Sequence, residues 1–447
     1  MTTRLQVSEL AERARTARDA GSNDVSPVGN DVTASGARAL AYRYKRRDVV
    51  DGANDVREIM IVCGTRPAII KLAPLYHALK KEKWARVTWV HSGQHAEMAA
   101  QMLSCFDIEP DIALEREGTS LFEFSQGCRS QLEDIVSGGR WSMIIVQGDT
   151  EDAFLGALAG FYHRIPVAHV EAGLRTNDLS RPFPEEGLRQ MIGRLAHFHF
   201  APTSRAHEVL LAENTPAERI FTTGNTVIDA QHWVMARHGV RRTTSGPGHL
   251  LVTLHRRENW GHDVEEICHA IASIASAHPD LAVLFPVHLN PIVQQPVHEI
   301  LGGLPNVSLT APLGYLEMQQ AIADSWLVLT DSGGLQEEAP TFQVPLLVLR
   351  DETERPEAIE RGCARLVGTS RLRVISEVER LWSDPTAYEQ MQRAGNPFGD
   401  GHSCARIVAT MAQALGAGDS VSNVSKIELT ADVSLGAEAL IAPTFPS

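Results

Sequence analysis

Two carboxylates stand where apolar runs end, Asp149 in VQGDT and Glu171 in HVEAG, and a third, Glu185, lies in the proline-bracketed loop PFPEEGLRQ that leads into a helix. A core strand has no packing reason to end on an acid. Acids that cluster raise one another's pKa, and one of them can then carry a proton near neutral pH. Cations sit at similar points. Arg66 and Lys71 lie five apart in GTRPAIIK, and Arg355 lies in RDETERPEA. Arginine suits bidentate contact with phosphate, and lysine acts as a point charge. A cleft that binds a diphosphate and also collects acids suggests proton transfer beside an anionic leaving group. Acids near a diphosphate can instead hold magnesium, but here arginine and lysine already supply the positive charge, so no metal is expected.

Two further stretches fit this reading. In LTDSGGLQEEAP a buried run meets Ser332, Gly333 and Gly334, and a helix carrying Glu337 and Glu338 follows. Glycines let the backbone approach a ligand closely, and a new helix offers unpaired N–H groups to phosphate. Glu338, one turn in, can accept from ribose hydroxyls. No Gly-Lys-Ser/Thr follows, so this is not a Walker loop. His255 in TLHRREN, flanked by Arg256 and Arg257, can donate to a phosphate or a sugar hydroxyl. Each feature has a plainer reading: a glycine turn, a surface ion pair, a structural histidine. That reading suits any one of Arg66, Gln94, Asp149, Glu171, His255, His288, Ser332 and Arg355, but not all of them ending strands beside one cleft.

The elements that position them follow from the pattern. EIMIVCGTRP, VTWVHSGQH, SMIIVQGDT, PVAHVEAG and FHFAPT read as buried strands, with a helix from about Ala68 after the first. The series restarts with HLLVTLHRREN, LAVLFPVHLNP, VSLTAPLG, WLVLTDSGGLQEE and PLLVLRDETERP. Unbroken Val/Ile/Leu runs alternating with helices imply parallel sheets covered on both faces. The expected class is α/β, with two Rossmann-like domains and an interdomain cleft. The domains are expected at 56–226 and 227–399, with the joint between Asn225 and Ser245. Ligands of such sheets bind at the carboxyl ends of the strands. Residues 1–55 and 417–447 lack large apolar residues at any sustained period and read as disordered extensions.

Composition narrows the function. The 447 residues carry a formal charge of −14, with 43% hydrophobic and 21% charged residues. That suits a soluble globular protein and argues against a nucleic-acid partner. No apolar run reaches the roughly 18 residues of a spanning helix, and no secretory segment is present, so no membrane association is expected. Six scattered cysteines without a C-x-x-C pair fit reduced thiols in a cytoplasm. His197 and His199 lie two apart without a supporting cluster, which argues against zinc.

Taken together, GTRP…K, SGQH, VQGDT, HVEAGLRT, PFPEE, TGNTVID, TLHRREN, PVHLNP, TDSGGLQEEAP, RDETERPEA and FGDGHSCARI resemble the blocks of the non-hydrolysing UDP-N-acetylglucosamine 2-epimerases, in family order over residues 57 to about 415. The resemblance implies two domains of the GT-B type and a final helix (400–416) packing back on the first. It also implies a cytoplasmic homodimer with no metal or nicotinamide. The family interconverts UDP-GlcNAc and UDP-ManNAc by eliminating UDP to 2-acetamidoglucal and re-adding it. By matching motif, Arg66, Lys71, His255, Ser332, Gly334, Glu338 and Arg355 would bind UDP, with Gly333 in the same turn. Asp149, Glu171 and Glu185 would form the acid–base set, with His255 beside it, and which acid removes the proton is left open. Gln94, Glu185, Arg256 and His288 match residues that hold an activating second UDP-GlcNAc in some members.

The sequence departs from the family at Ala68 (usually Glu), Glu151-Asp152 (usually Thr), Leu188 (usually Asn) and Leu313 (commonly Gln). These changes keep other readings open: an epimerase of a related UDP-sugar, a hydrolysing epimerase, a GT-B glycosyltransferase, or a non-catalytic UDP-sugar sensor. Pro67 and the P-E-E loop favour the non-hydrolysing branch. Three retained acids argue against a sensor, since binding alone needs none.

Overall fold

The computed structural model describes residues 56–94, 96–243 and 248–417. The extension 1–55, the tail beyond Ala417 and Ser245 lie outside the described residues. Seven strands form the first sheet: β1 (Arg57–Cys63), β2 (Ala85–His91), β3 (Ile112–Ala113), β4 (Trp141–Gln147), β5 (Val167–Val170), β6 (Phe198–Ala201) and β7 (Ile220–Thr222). Six form the second: β8 (His249–Thr253), β9 (Val283–Pro286), β10 (Val307–Thr310), β11 (Ser325–Thr330), β12 (Leu346–Val348) and β13 (Ala364–Leu366). The central strands are buried on both faces, as their apolar runs require: Ile59–Cys63, Met143–Val146 and Leu327–Leu329 are 0 to 1% exposed.

The orders are β3-β2-β1-β4-β5-β6-β7 and β10-β9-β8-β11-β12-β13. The pairing is parallel at the centre of each sheet, β1 with β4 and β8 with β11. Both sheets therefore reverse their winding at one point, between β1 and β4 and between β8 and β11, and a crevice opens there at the carboxyl ends. Arg66 follows β1, Asp149 follows β4, His255 follows β8 and Ser332 follows β11. The expected α/β class with two Rossmann-like domains is the observed one. Strands β3, β7 and β13 carry two or three residues each, too few to show a period, and the sequence pattern does not reveal them.

The helix after β1 spans Arg66–Lys80, with Pro67 in its first turn where no N–H is needed. It begins two residues earlier than the pattern suggests. The helix Thr226–His238, which the pattern groups with the second domain, packs on Arg66–Lys80. Val227, Ile228, Ala230 and Val234 share a buried cluster with Ile69, Leu72 and Ala73, and the chain passes to the second sheet beyond His238. The last helix, Ser403–Ala414, also packs on Arg66–Lys80. Its first turn is held by Asp229, which accepts from Ser403 N at 3.2 Å and Cys404 N at 2.9 Å. The six cysteines are buried free thiols. Among the described residues no helix is long and apolar enough to cross a membrane.

Candidate active site

Glu171 follows β5 in a left-handed backbone conformation, φ +63°. For a residue with a Cβ this costs about 1–2 kcal/mol. Ala172 and then Gly173 complete the turn; a Cβ on Gly173 would lie 2.3 Å from Ala206 O, so only glycine fits. The turn places a buried carboxylate that accepts from Lys71 Nζ, from Gln147 Nε2 on the adjoining strand, and from Asn225 Nδ2 at 3.1 Å. Burial pushes this carboxyl up, but Lys71, Arg355 and Asn225 together hold it below the usual range. Burial would likewise lower Lys71, and Glu171 and Glu337 keep it raised and charged.

The same group reaches the second domain. Asn225 Nδ2 also donates to Glu337 Oε2 at 3.2 Å. Lys71 Nζ stands 3.9 Å from Glu337. Arg355 Nε donates to Glu337 Oε1 at 2.7 Å. Charges alternate as Glu171, Lys71, Glu337, Arg355 through buried space, so each ion lies beside an opposite one, as burial of charge demands. Glu337 and Asn225 carry no role in the sequence reading. Both lie inside quoted motifs, but their partners are 112 residues apart.

Around Gly333 the structure leaves room of a particular kind. The nearest neighbours of a Cβ there would be Arg256 Nη2 at 3.5 Å and the Arg355 guanidinium at 3.6 Å. A Cβ on Gly334 would approach only Ser332 Oγ, at 3.8 Å. The glycines therefore open the space before two guanidinium groups. Glu354 touches both groups, bonding Arg256 at 3.2 and 3.3 Å and standing 3.8 Å from Arg355 Nη1; it also bonds Arg350 at 3.0 and 3.3 Å. Burial pushes its carboxyl up, and the arginines pull it down to about 2. Ser332 caps the helix Gly333–Glu338, and its N–H donates to Thr330 Oγ1 at 2.9 Å. His255, at the end of β8, pairs its Nδ1 with Asp331 at 2.9 Å and keeps 46% of its side chain exposed. Arg66 is partly buried and has no hydrogen bond or ion pair among the described residues.

The carboxyl raised towards neutrality is not Glu171 at the end of β5. Asp149 is paired with Arg189, and Glu171 with Lys71. These two acids each have a cation, so the mutual raising expected from clustered acids does not occur at Glu171. Glu338 is raised instead, to about 7, by burial and by Glu337 beside it; Gln319 Nε2, donating at 2.7 Å, opposes the shift. Glu185 opens the helix Glu185–Leu195, one turn before Arg189, half-buried. It makes no hydrogen bond or ion pair among the described residues. Glu186 beside it is fully buried and closes the loop, accepting from Thr176 N at 3.0 Å and Asn177 N at 3.1 Å.

A family model described as UDP-N-acetylglucosamine 2-epimerase matches residues 77–412. The chain belongs to the UDP-N-acetylglucosamine 2-epimerase family. UDP-N-acetylglucosamine 2-epimerase of Yersinia pestis is 46% identical over 370 residues, covering 79% of this chain and 98% of that one. The Escherichia coli K12 enzyme of the same name is 46% identical over 368 residues, with the same coverage. Among solved structures, a UDP-GlcNAc 2-epimerase from Neisseria meningitidis, bound to UDP-GlcNAc, aligns with TM-score 0.72 and 36% identity over 79% of this chain and 99% of that one.

Within this epimerase family the unusual positions now have places. Ala68 and Leu188 are 3% and 6% exposed, inside the packing, and Leu313 packs against the core. Asp152 is 1% exposed. It accepts from Ser92 Oγ at 2.8 Å, and burial holds its carboxyl up. Of the residues matched to an activator site, Gln94 accepts from Asp152 N at 3.3 Å. His288 Nδ1 accepts from Asn290 N at 3.2 Å, and Arg256 lines the space before Gly333. Among the described residues no group of three or more His, Cys, Asp or Glu is placed to hold a metal.

Proposed function

We propose that the protein interconverts UDP-GlcNAc and UDP-ManNAc by a non-hydrolysing route. One observation carries the reading: Glu171 of the first domain and Arg355 of the second belong to one buried charge network, bridged by Asn225 and Lys71. An acid at a sugar's C2 and a cation at its departing diphosphate need this closeness. The C2 hydrogen is weakly acidic because no carbonyl adjoins it. As the C1–O bond stretches, positive charge develops at C1 and the C2 proton becomes removable. A base takes the proton, the C2–H electrons form the C1=C2 bond, and the C1–O electrons leave with UDP, giving 2-acetamidoglucal. Re-addition of UDP to C1 with a proton delivered to the other face of C2 gives the epimer.

Glu171, held ionised by Lys71, is in the state a base requires; Asp149 and Glu185 are the groups to return the proton. Each such step contributes roughly 10²–10⁴-fold, and clamping of the departing diphosphate by Arg66, Arg355 and His255 adds to it. Ser332, Gly333 and Gly334 give the diphosphate room, and Glu338 meets the ribose. The working form in this reading is a homodimer; a monomer at assay concentration in sedimentation velocity would remove that part. Product analysis tests the rest. Incubation with UDP-GlcNAc is expected to end in a mixture of UDP-GlcNAc and UDP-ManNAc. Accumulating free ManNAc with UDP would mark a hydrolysing enzyme, and unchanged substrate would sink the reading.

A further inference from the structure

Asp331, the partner of His255 Nδ1, is fully buried and sits directly behind that ring. It follows β11, next to β8, whose end carries His255; Thr253 and Thr330 pair across the two strands. The Asp331 carboxylate is 0% exposed. It accepts from His255 N at 3.1 Å with each oxygen, from Arg256 N at 2.9 Å and from Asn259 Nδ2 at 3.1 Å. It also meets His255 Nδ1 at 2.9 Å. Burial pushes this carboxyl up, but His255 and the backbone donors hold it below the usual range, so it is ionised.

We propose that Asp331 is a positioning residue for His255: it keeps a hydrogen on Nδ1 and leaves Nε2 as the nitrogen that exchanges a proton with the departing diphosphate. This rests on the epimerase reading above. An ionised carboxylate only accepts, so Nδ1 must carry its hydrogen whether the ring is neutral or charged. Nε2 has no partner among the described residues, and nearly half of the side chain is open to solvent. In the cation Nε2–H donates to the phosphate oxygen as the C1–O electrons move onto it. In the neutral ring Nε2 is a lone pair that takes that proton back. A histidine lacking this carboxylate can place its one neutral proton on Nε2 and turn Nδ1 inward, which gives a fixed donor and no proton exchange. Capping the turn at His255 needs only the backbone bonds; the contact to Nδ1 is a separate demand.

Asp331→Asn tests this. The carboxamide oxygen can still accept from the backbone N–H groups, while its NH₂ offers a donor to Nδ1 and drives the ring to the other tautomer. The expected result is a loss in kcat of about 10²-fold or more, with KM changed less than about threefold. The ¹⁵N shifts of His255 should show Nδ1 protonated in the wild type, free and with UDP, and Nε2 protonated with Nδ1 bare in the variant. A purely structural role would lower the melting temperature without exchanging the tautomer. Should the variant not fold, the wild-type shifts decide alone. A bare Nδ1 in the wild type, or a folded variant with kcat within threefold of wild type, would overturn the assignment. Failure of the epimerase reading is separately visible, as wild-type protein inert to UDP-GlcNAc whatever the His255 shifts show.

Discussion

Among single residues, Glu171 stands out. A glutamate in a left-handed conformation, buried, on three donors, is a costly way to end a strand; its backbone strain and its burial both point to a functional role. Replacing Glu171 by Gln removes the proposed base and also frees Lys71 from its ion pair. Epimerisation is expected to fall by at least 10²-fold, while UDP binds as well as before or more tightly, because a buried cation has lost its carboxylate. Asp149→Asn should also keep UDP binding and lose turnover. Calorimetric titration with UDP alongside the turnover assay checks both; full activity in either variant removes that residue from the mechanism. The residue types at strand ends were legible in the sequence because acids and arginines are out of place there. Their pairings were not. Lys71 meets Glu171 across 100 residues of chain, and Asp149 meets Arg189 across 40. Only the fold decides which acid receives which cation, and with it why Glu338 rather than Glu171 is the carboxyl near neutrality.

At the scale of elements, the strands were readable because both faces of each central strand are buried, so the apolar runs are unbroken. The helix Thr226–His238 was harder. Its place on the first domain depends on which apolar face it meets, and a period alone does not say. Its Asp229 holds the start of the last helix through Ser403 and Cys404. Asp229→Ala leaves both buried N–H groups without a partner, and should lower stability by about 1–3 kcal/mol. Hydrogen exchange should localise the effect, with faster exchange over Ser403–Ala414 and little change in β8–β13. Uniform acceleration through both sheets, or none, would contradict this role.

At the scale of the whole molecule, buried groups set how stability depends on pH. Burial holds His169 down at about 4 and His199 at about 3, against 6.5 for a free imidazole. The unfolded chain therefore binds protons below about pH 6.5 that the fold refuses, and stability is lost as pH falls from there. Glu338 works the other way. Its value of about 7 exceeds the ordinary 4.5, so the fold keeps a proton the unfolded chain releases, and stability is lost as pH rises from 4.5 to 7. At about 1.4 kcal/mol per unit, these two histidines outweigh Glu338, and the three groups together should contribute less stability at pH 5 than at pH 7.5. Glu338→Gln removes the opposing group. Denaturation in urea should find it more stable than wild type at pH 8, by on the order of 3 kcal/mol, with the gain shrinking towards pH 5; an advantage independent of pH would contradict the assignment. The same variant should bind UDP less well, since the proposed ribose partner is altered.

The proposed reaction draws on both domains and breaks both C2–H and C1–O. The most direct measurement is proton NMR of UDP-GlcNAc with the wild-type protein in D₂O. UDP-ManNAc is expected to appear with deuterium at C2, and the H2 signal of recovered UDP-GlcNAc to fade as equilibrium is reached. An epimer that keeps its original C2 hydrogen would contradict the proposed reaction.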